Sequence, residues 1–116
     1  MEAITIPKLR QAIETRDGKT LAGFYTDDAV LQVIDQNNPP SSPLEIRGRS
    51  AISAYYDDVC GRTMTHRISS AVGDENQLAF MQTCTYPNGA RVFFAAMLQL
   101  ASGKIARQVS IQAWDP

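Results

Sequence analysis

Two hydrophobic periodicities divide the chain near residue 62. Before that point apolar residues recur at helical spacing: "IPKLRQAIETRDG" puts Leu9, Ala12 and Ile13 on one stripe, with Pro7 tolerated in a first turn and Asp17-Gly18 as a stop. "DGKTLAGFYTDD" repeats the pattern, with Asp17 as cap and Leu21, Phe24 and Tyr25 at helical spacing, which predicts a second short helix ending near Thr26. "AVLQVID" reads as a strand, and the proline-rich "QNNPPSSPLEIRG" as a long loop. In "GRSAISAYYDDVCG" the residues Ile52, Tyr55, Tyr56 and Val59 fall at i, i+3, i+4 and i+7, and Gly61 is placed to end a third helix.

From Met64 onward the period is two. "MTHRISSAV", "QLAFMQTCTY", "ARVFFAAMLQL" and "KIARQVSIQAW" are strand-length runs separated by "GDEN", "PNG" and "ASGK". Such short turns predict an antiparallel meander. Helices first and a curved antiparallel sheet afterwards is an α+β layout, with the helices covering one face of the sheet. Strict alternation in the first run puts His66, the only histidine, on one face with Met64, Ile68 and Val72.

Composition narrows the picture without naming a reaction. A chain of 116 residues, 44% hydrophobic and 20% charged, has the balance of one domain spanning residues 1–116. Eleven Lys and Arg against twelve Asp and Glu give a net charge of −1 with no basic stripe, so no nucleic-acid partner is expected. The apolar run in "RVFFAAMLQL" falls far short of the roughly 20 residues a membrane span needs. "MEAITIPKLRQ" lacks the organisation of a signal peptide, so the expectation is a soluble, cytoplasmic protein with no membrane partner. Cys60 and Cys84 are not at metal-ligand spacing, and one histidine gives zinc too few soft ligands; both read as small apolar residues in a reducing compartment. "GRSAIS" and "SGKIA" lack the spacing of phosphate loops, so neither a metal nor a cofactor is expected, and Arg47 and Arg49 read as solvated surface.

Four motifs in order, "DGKTLAGFYTDDAVLQV", "IRGRSAISAYYDDV", "THRI" and "SGKIARQ", give the chain from about Pro7 to Trp114 a resemblance to a known family. It resembles the nuclear-transport-factor-2-like superfamily, and within it the SnoaL-like polyketide cyclase and steroid isomerase branch. The resemblance implies a cone-shaped fold whose bent sheet wraps a long helix around a mostly apolar cavity. It also implies a homodimer formed through the outer face of the sheet. Members include isomerases, dehydratases, cyclases, epoxide hydrolases and pure binders, so fold alone does not give function.

The steroid isomerase pattern requires a tyrosine and two aspartates; the matching positions here are Leu9, Val33 and Ala96, which carry none of that chemistry. His66 matches the place where dehydratase-like and cyclase-like members put a cavity histidine, a group suited to acid/base work near neutrality. Among the carboxylates only Asp35 combines a strand position with the right parity to orient it at the cavity mouth; a strand-end aspartate before "QNNPP" is also an ordinary turn residue. Val33, Tyr56, Phe94, Ala96, Gln108, Gln112 and Trp114 are the expected substrate contacts. Ser110 shares the inward face of the last strand, and Ile105, Val109 and Ile111 lie outside, where an apolar set would form a dimer interface. A monomer would swap those faces.

Two classes of function remain open at this level. One is cofactor-free isomerisation, dehydration or cyclisation of a hydrophobic, carbonyl-bearing molecule, with His66 as acid/base and Tyr56 or Gln108 donating to oxyanion charge. The other is a non-catalytic dimer that holds a small apolar ligand or serves as a scaffold. A histidine that is merely packed, hydrogen-bonded to a neighbour, fits the second.

Overall fold

Among the described residues, each of three helices starts where a side chain or a glycine permits it. The Thr5 hydroxyl accepts from the Lys8 amide at 3.3 Å, opening α1 (Ile6–Glu14), which buries Leu9, Ala12 and Ile13. Asp17 accepts from the Thr20 amide at 3.2 Å and opens α2 (Gly18–Gly23). Gly48, at φ +87°, turns the chain into α3 (Arg49–Cys60), whose Ile52 is completely buried. The computed structural model describes residues 3–116.

Six strands of the described residues follow or separate these helices: β1 (Tyr25–Ile34), β2 (Leu44–Arg47), β3 (Thr65–Gly73), β4 (Gln77–Thr85), β5 (Arg91–Ala101) and β6 (Lys104–Asp115). They form one curved, open sheet in the order β2-β1-β6-β5-β4-β3, giving the expected α+β cone. The meander from β3 to β6 is antiparallel throughout. β1 pairs parallel with β6, so the sheet as a whole is mixed. Its last hairpin turns on Ser102 and Gly103, both with positive φ (51° and 80°), the geometry of a type I′ turn. The helices cover the concave face, and the core there runs through Leu9, Leu31, Ile52, Leu98 and Ile105.

The structure differs from the sequence pattern at four places. Tyr25 is not the end of the second helix but the first residue of β1, where it pairs with Ile105 and is 2% exposed. Only one full turn of helix precedes it, and a buried, sheet-paired aromatic outweighs so short a helix. Within the expected long loop, Leu44–Arg47 forms β2, hydrogen-bonded to β1. A register shift between Ile68 and Ser70 reverses the parity of β3, so Val72 leaves the face of His66 and is 65% exposed. The shift between Gln99 and Leu100 does the same where β5 meets β6, turning Ile105 from the outer face into the core, with no exposed surface.

Ile52 is the residue of α3 that is fully buried in the core, with Tyr55, Tyr56 and Cys60 packed against the same cluster. Ile52→Ala should lower the unfolding free energy by about 2–5 kcal/mol, the usual range for removing a fully buried aliphatic side chain. Urea denaturation followed by circular dichroism measures it.

Candidate functional site

The side chains of α3 do not fill the concave face, and a cavity of about 180 Å³ remains between them. Ile13 and Leu21 close it from α1 and α2; Tyr55, Tyr56, Val59 and Cys60 form its roof. The floor comes from alternate residues of β4, β5 and β6 with Leu31 of β1 and His66 of β3, and its apolar part is a stacked pair, Phe80 and Phe94, with ring centroids 5.7 Å apart. No carboxylate of the described residues lines it.

Its depth is polar but uncharged. Among the described residues the buried polar side chains are Gln82, Gln108 and Ser110, and all of them line this cavity. The Tyr25 hydroxyl donates to Gln108 Oε1 at 2.5 Å, and Gln108 Nε2 donates to Ser110 Oγ at 2.9 Å. Because the Tyr25 proton is committed to an oxygen that can only accept, the 2.6 Å contact between the Tyr25 and Tyr56 hydroxyls carries the proton of Tyr56. A directed chain therefore runs from α3 through β1 to β6. Burial drives both tyrosines well above the usual phenol range, so each stays protonated.

His66 lines the cavity from β3, the strand that the pattern assigned it. Its Nδ1 lies 3.0 Å from Cys84 Sγ, on the paired residue of β4. This thiol is where the sequence anticipated a carboxylate. Burial pushes the Cys84 thiol up to about 11, while burial and then the Arg16 guanidinium push the His66 imidazole below its ordinary 6.5. Both members of the pair are neutral at pH 7. At the rim, Arg62 is held by Asp58 at 2.7 Å and by the Tyr86 hydroxyl at 3.3 Å.

The other anticipated residues divide into two groups. Tyr56, Phe94, Gln108 and Gln112 line the cavity with His66. Val33 and Ala96 face the same side of the sheet but are packed into the core, 2% and 4% exposed, and do not reach the cavity wall. Trp114 lies outside, stacked on Tyr86 at 5.9 Å. Asp35 is not brought to His66: it directly follows β1, and three strands lie between β1 and β3. Its carboxylate accepts from the amides of Asn37 and Asn38 and from Asn38 Nδ2, each at 2.9 Å, and these bonds hold its pKa below the usual range, led by the Asn38 side chain. It is a turn residue.

Sequence reasoning missed Tyr25, Gln82 and Cys84. Gln82 and Cys84 fall with Phe80 on one parity of "QLAFMQTCTY", and that alternation was the available signal; Tyr25 was hidden by its placement in a helix.

A family model for the SnoaL-like domain matches residues 8–108. No curated protein sequence matches the chain. Among solved structures, a nuclear-transport-factor-2-like protein of unknown function from Burkholderia xenovorans superposes with a TM-score of 0.79 at 21% identity, covering 96% of this chain and 80% of that one. A candidate ketosteroid isomerase from Kribbella flavida gives 0.74 at 16% identity over 95% and 77%. A loop-truncation variant of IdmH gives 0.68 at 21% identity over 92% and 88%. At these identities the structures speak for the fold alone, whereas the family model spans most of the sequence: this chain belongs to the SnoaL-like domain family and has its nuclear-transport-factor-2-like fold.

Proposed function

We propose that the protein is a small-molecule enzyme doing cofactor-free acid/base chemistry, isomerisation, dehydration or cyclisation, on a hydrophobic carbonyl compound, with His66 as the base. The observation that carries this reading is the neutral imidazole in an apolar cavity, with one ring nitrogen already held by Cys84. An imidazole that is unprotonated at pH 7 is ready to take a proton from carbon. In the tautomer that donates Nδ1–H to Cys84 Sγ, the lone pair of Nε2 is left for substrate, and Cys84 acts as a positioning residue. The protons of Tyr56 and Tyr25 are used within their own chain, so those residues brace the wall. Ser110 accepts from Gln108 and keeps its own hydroxyl proton, which suits it to donate to developing oxyanion charge.

A second reading, a dimer that only holds an apolar ligand, is favoured by one observation. Leu9, Val33 and Ala96, the positions matching the isomerase catalytic groups, are all buried apolar residues. The two readings separate by pH. A base at His66 makes turnover fall as pH drops through an imidazole pKa below 6.5, whereas a passive apolar binder has nearly constant affinity from pH 5 to 8.

The homodimer belongs to this proposal in either case. Phe93, Met97 and Ile111 are 45%, 53% and 53% exposed on the convex face, and register places Ala95 opposite Ile111 and Met97 opposite Val109, so they form one apolar patch. A patch of this kind on a soluble chain favours association.

His66→Gln should lower the rate of conversion of cyclohex-3-enone to its conjugated isomer, followed by ultraviolet absorbance, at least about 100-fold. Equal rates for the two folded proteins would sink the assignment. Cys84→Ser, which still accepts from Nδ1–H, should retain most of the rate that Cys84→Ala loses. The same imidazole enters stability with a definite sign. Its folded pKa lies below the unfolded 6.5, so the stability it contributes is full above about pH 6.5 and is lost as the pH falls below it. The thermal midpoint should therefore drop more between pH 7.5 and 5 in the wild type than in His66→Gln. Phe93→Glu combined with Met97→Glu should halve the mass measured by light scattering.

A further inference from the structure

We propose that Gln82 is the polar anchor of the cavity and that its ligand is a compact, uncharged ring bearing a hydroxyl group. This rests on reading the cavity as a small-molecule site and goes further by naming the class of molecule. Gln82 is 8% exposed, lies on the concave face of β4 two residues from Cys84, and lines the cavity. Its Oε1 has no hydrogen-bond partner, and it is the only buried side-chain polar atom of the described residues in that position. The neighbouring buried amide is the contrast: Gln108 is occupied at both ends, by Tyr25 and by Ser110. A buried acceptor left unpaired is costly, and a ligand that donates to it recovers that cost on binding.

The chemistry of the donor follows from the surroundings. A cationic donor has no counter-charge, since no carboxylate of the described residues lines the cavity. A carbonyl or an ether cannot donate to Oε1, and accepts only from an amide rotated to present Nε2. An alcoholic or phenolic hydroxyl can donate to Oε1, and if the amide is rotated by 180° the same hydroxyl can accept from Nε2, so it fits either placement of the two amide atoms. Phe94 stands opposite Gln82 across the β4–β5 ladder and stacks on Phe80, which offers a flat apolar surface beside the anchor. Size sets the rest. A cavity of about 180 Å³ is close to the roughly 150 Å³ that accepts benzene, and lies below the roughly 300 Å³ at which pockets for drug-sized ligands begin. One ring with short substituents fits this volume.

The test compares p-cresol with p-xylene, two rings of nearly equal shape that differ by hydroxyl against methyl, in titration calorimetry. An apolar cavity prefers p-xylene, because the phenol must give up its hydration. The wild type should instead bind p-cresol about tenfold or more tightly than p-xylene, and Gln82→Leu should lose or reverse that preference. Gln82→Met serves the same purpose should the leucine variant fail to fold. A wild type that binds the two rings equally, prefers p-xylene or binds neither overturns the inference, as does a folded apolar variant that keeps the preference. The readout is equilibrium binding and needs no turnover. Cresol held through Gln82 by a protein that converts no ketone would sink the acid/base reading and leave this one standing, while His66-dependent turnover without a ring preference would do the reverse.

Discussion

The hydrogen bond from Tyr25 to Gln108 ties together parts of the chain that are 83 residues apart in sequence. It joins β1 to β6 at the parallel pairing in the sheet, and Tyr56 extends it to α3. Tyr25 and Gln108 are buried and Tyr56 is half-buried against them, so the three polar groups satisfy one another at one point. That requirement fixes how far α3 stands above the concave face. Closer approach would crush the hydroxyl pair, and greater distance would orphan it, so the space in front of the chain persists as a cavity while Ile52 packs behind it.

Burial biases six of the ionisable groups around that space toward their neutral forms. The phenols of Tyr25, Tyr55 and Tyr56 and the thiols of Cys60 and Cys84 are pushed up, and the imidazole of His66 is pushed down. Each shift favours the neutral form, and desolvation is its first cause in every case. The cavity thus resembles a weakly polar solvent with fixed hydrogen-bond directions. In such a medium a charge that develops during a reaction is felt strongly by the few oriented dipoles present.

Much of this was legible in the sequence, and the failures have a common cause. The helical stripe of Leu9, Ala12 and Ile13, the third helix, the meander and the inward run of Gln108, Ser110 and Gln112 follow from local periodicity. Period-two reading assumes an unbroken ladder, and each β-bulge resets it. Val72 and Ile105 were therefore assigned to the wrong faces, although their own strands were located correctly. Partnership across strands is harder still. Nothing local distinguishes Cys84 from a small apolar filler, and Asp35 has the right parity but spends its carboxylate on the two asparagines that follow it. The strand at Leu44–Arg47 stayed hidden because three prolines precede it and only its pairing with β1 makes it a strand.

An open sheet has two edges, and both are closed here to further strand pairing. β2 is only four residues long and follows Pro39, Pro40 and Pro43, a poor template for an incoming strand. On the far side α1 packs beside β3, and at the bulge the Ile68 amide donates to a Glu14 carboxylate oxygen at 3.0 Å rather than facing outward. A chain protected in this way can bend its sheet strongly, expose the middle of its convex face, and still resist the edge-to-edge growth that leads to amyloid-like fibres.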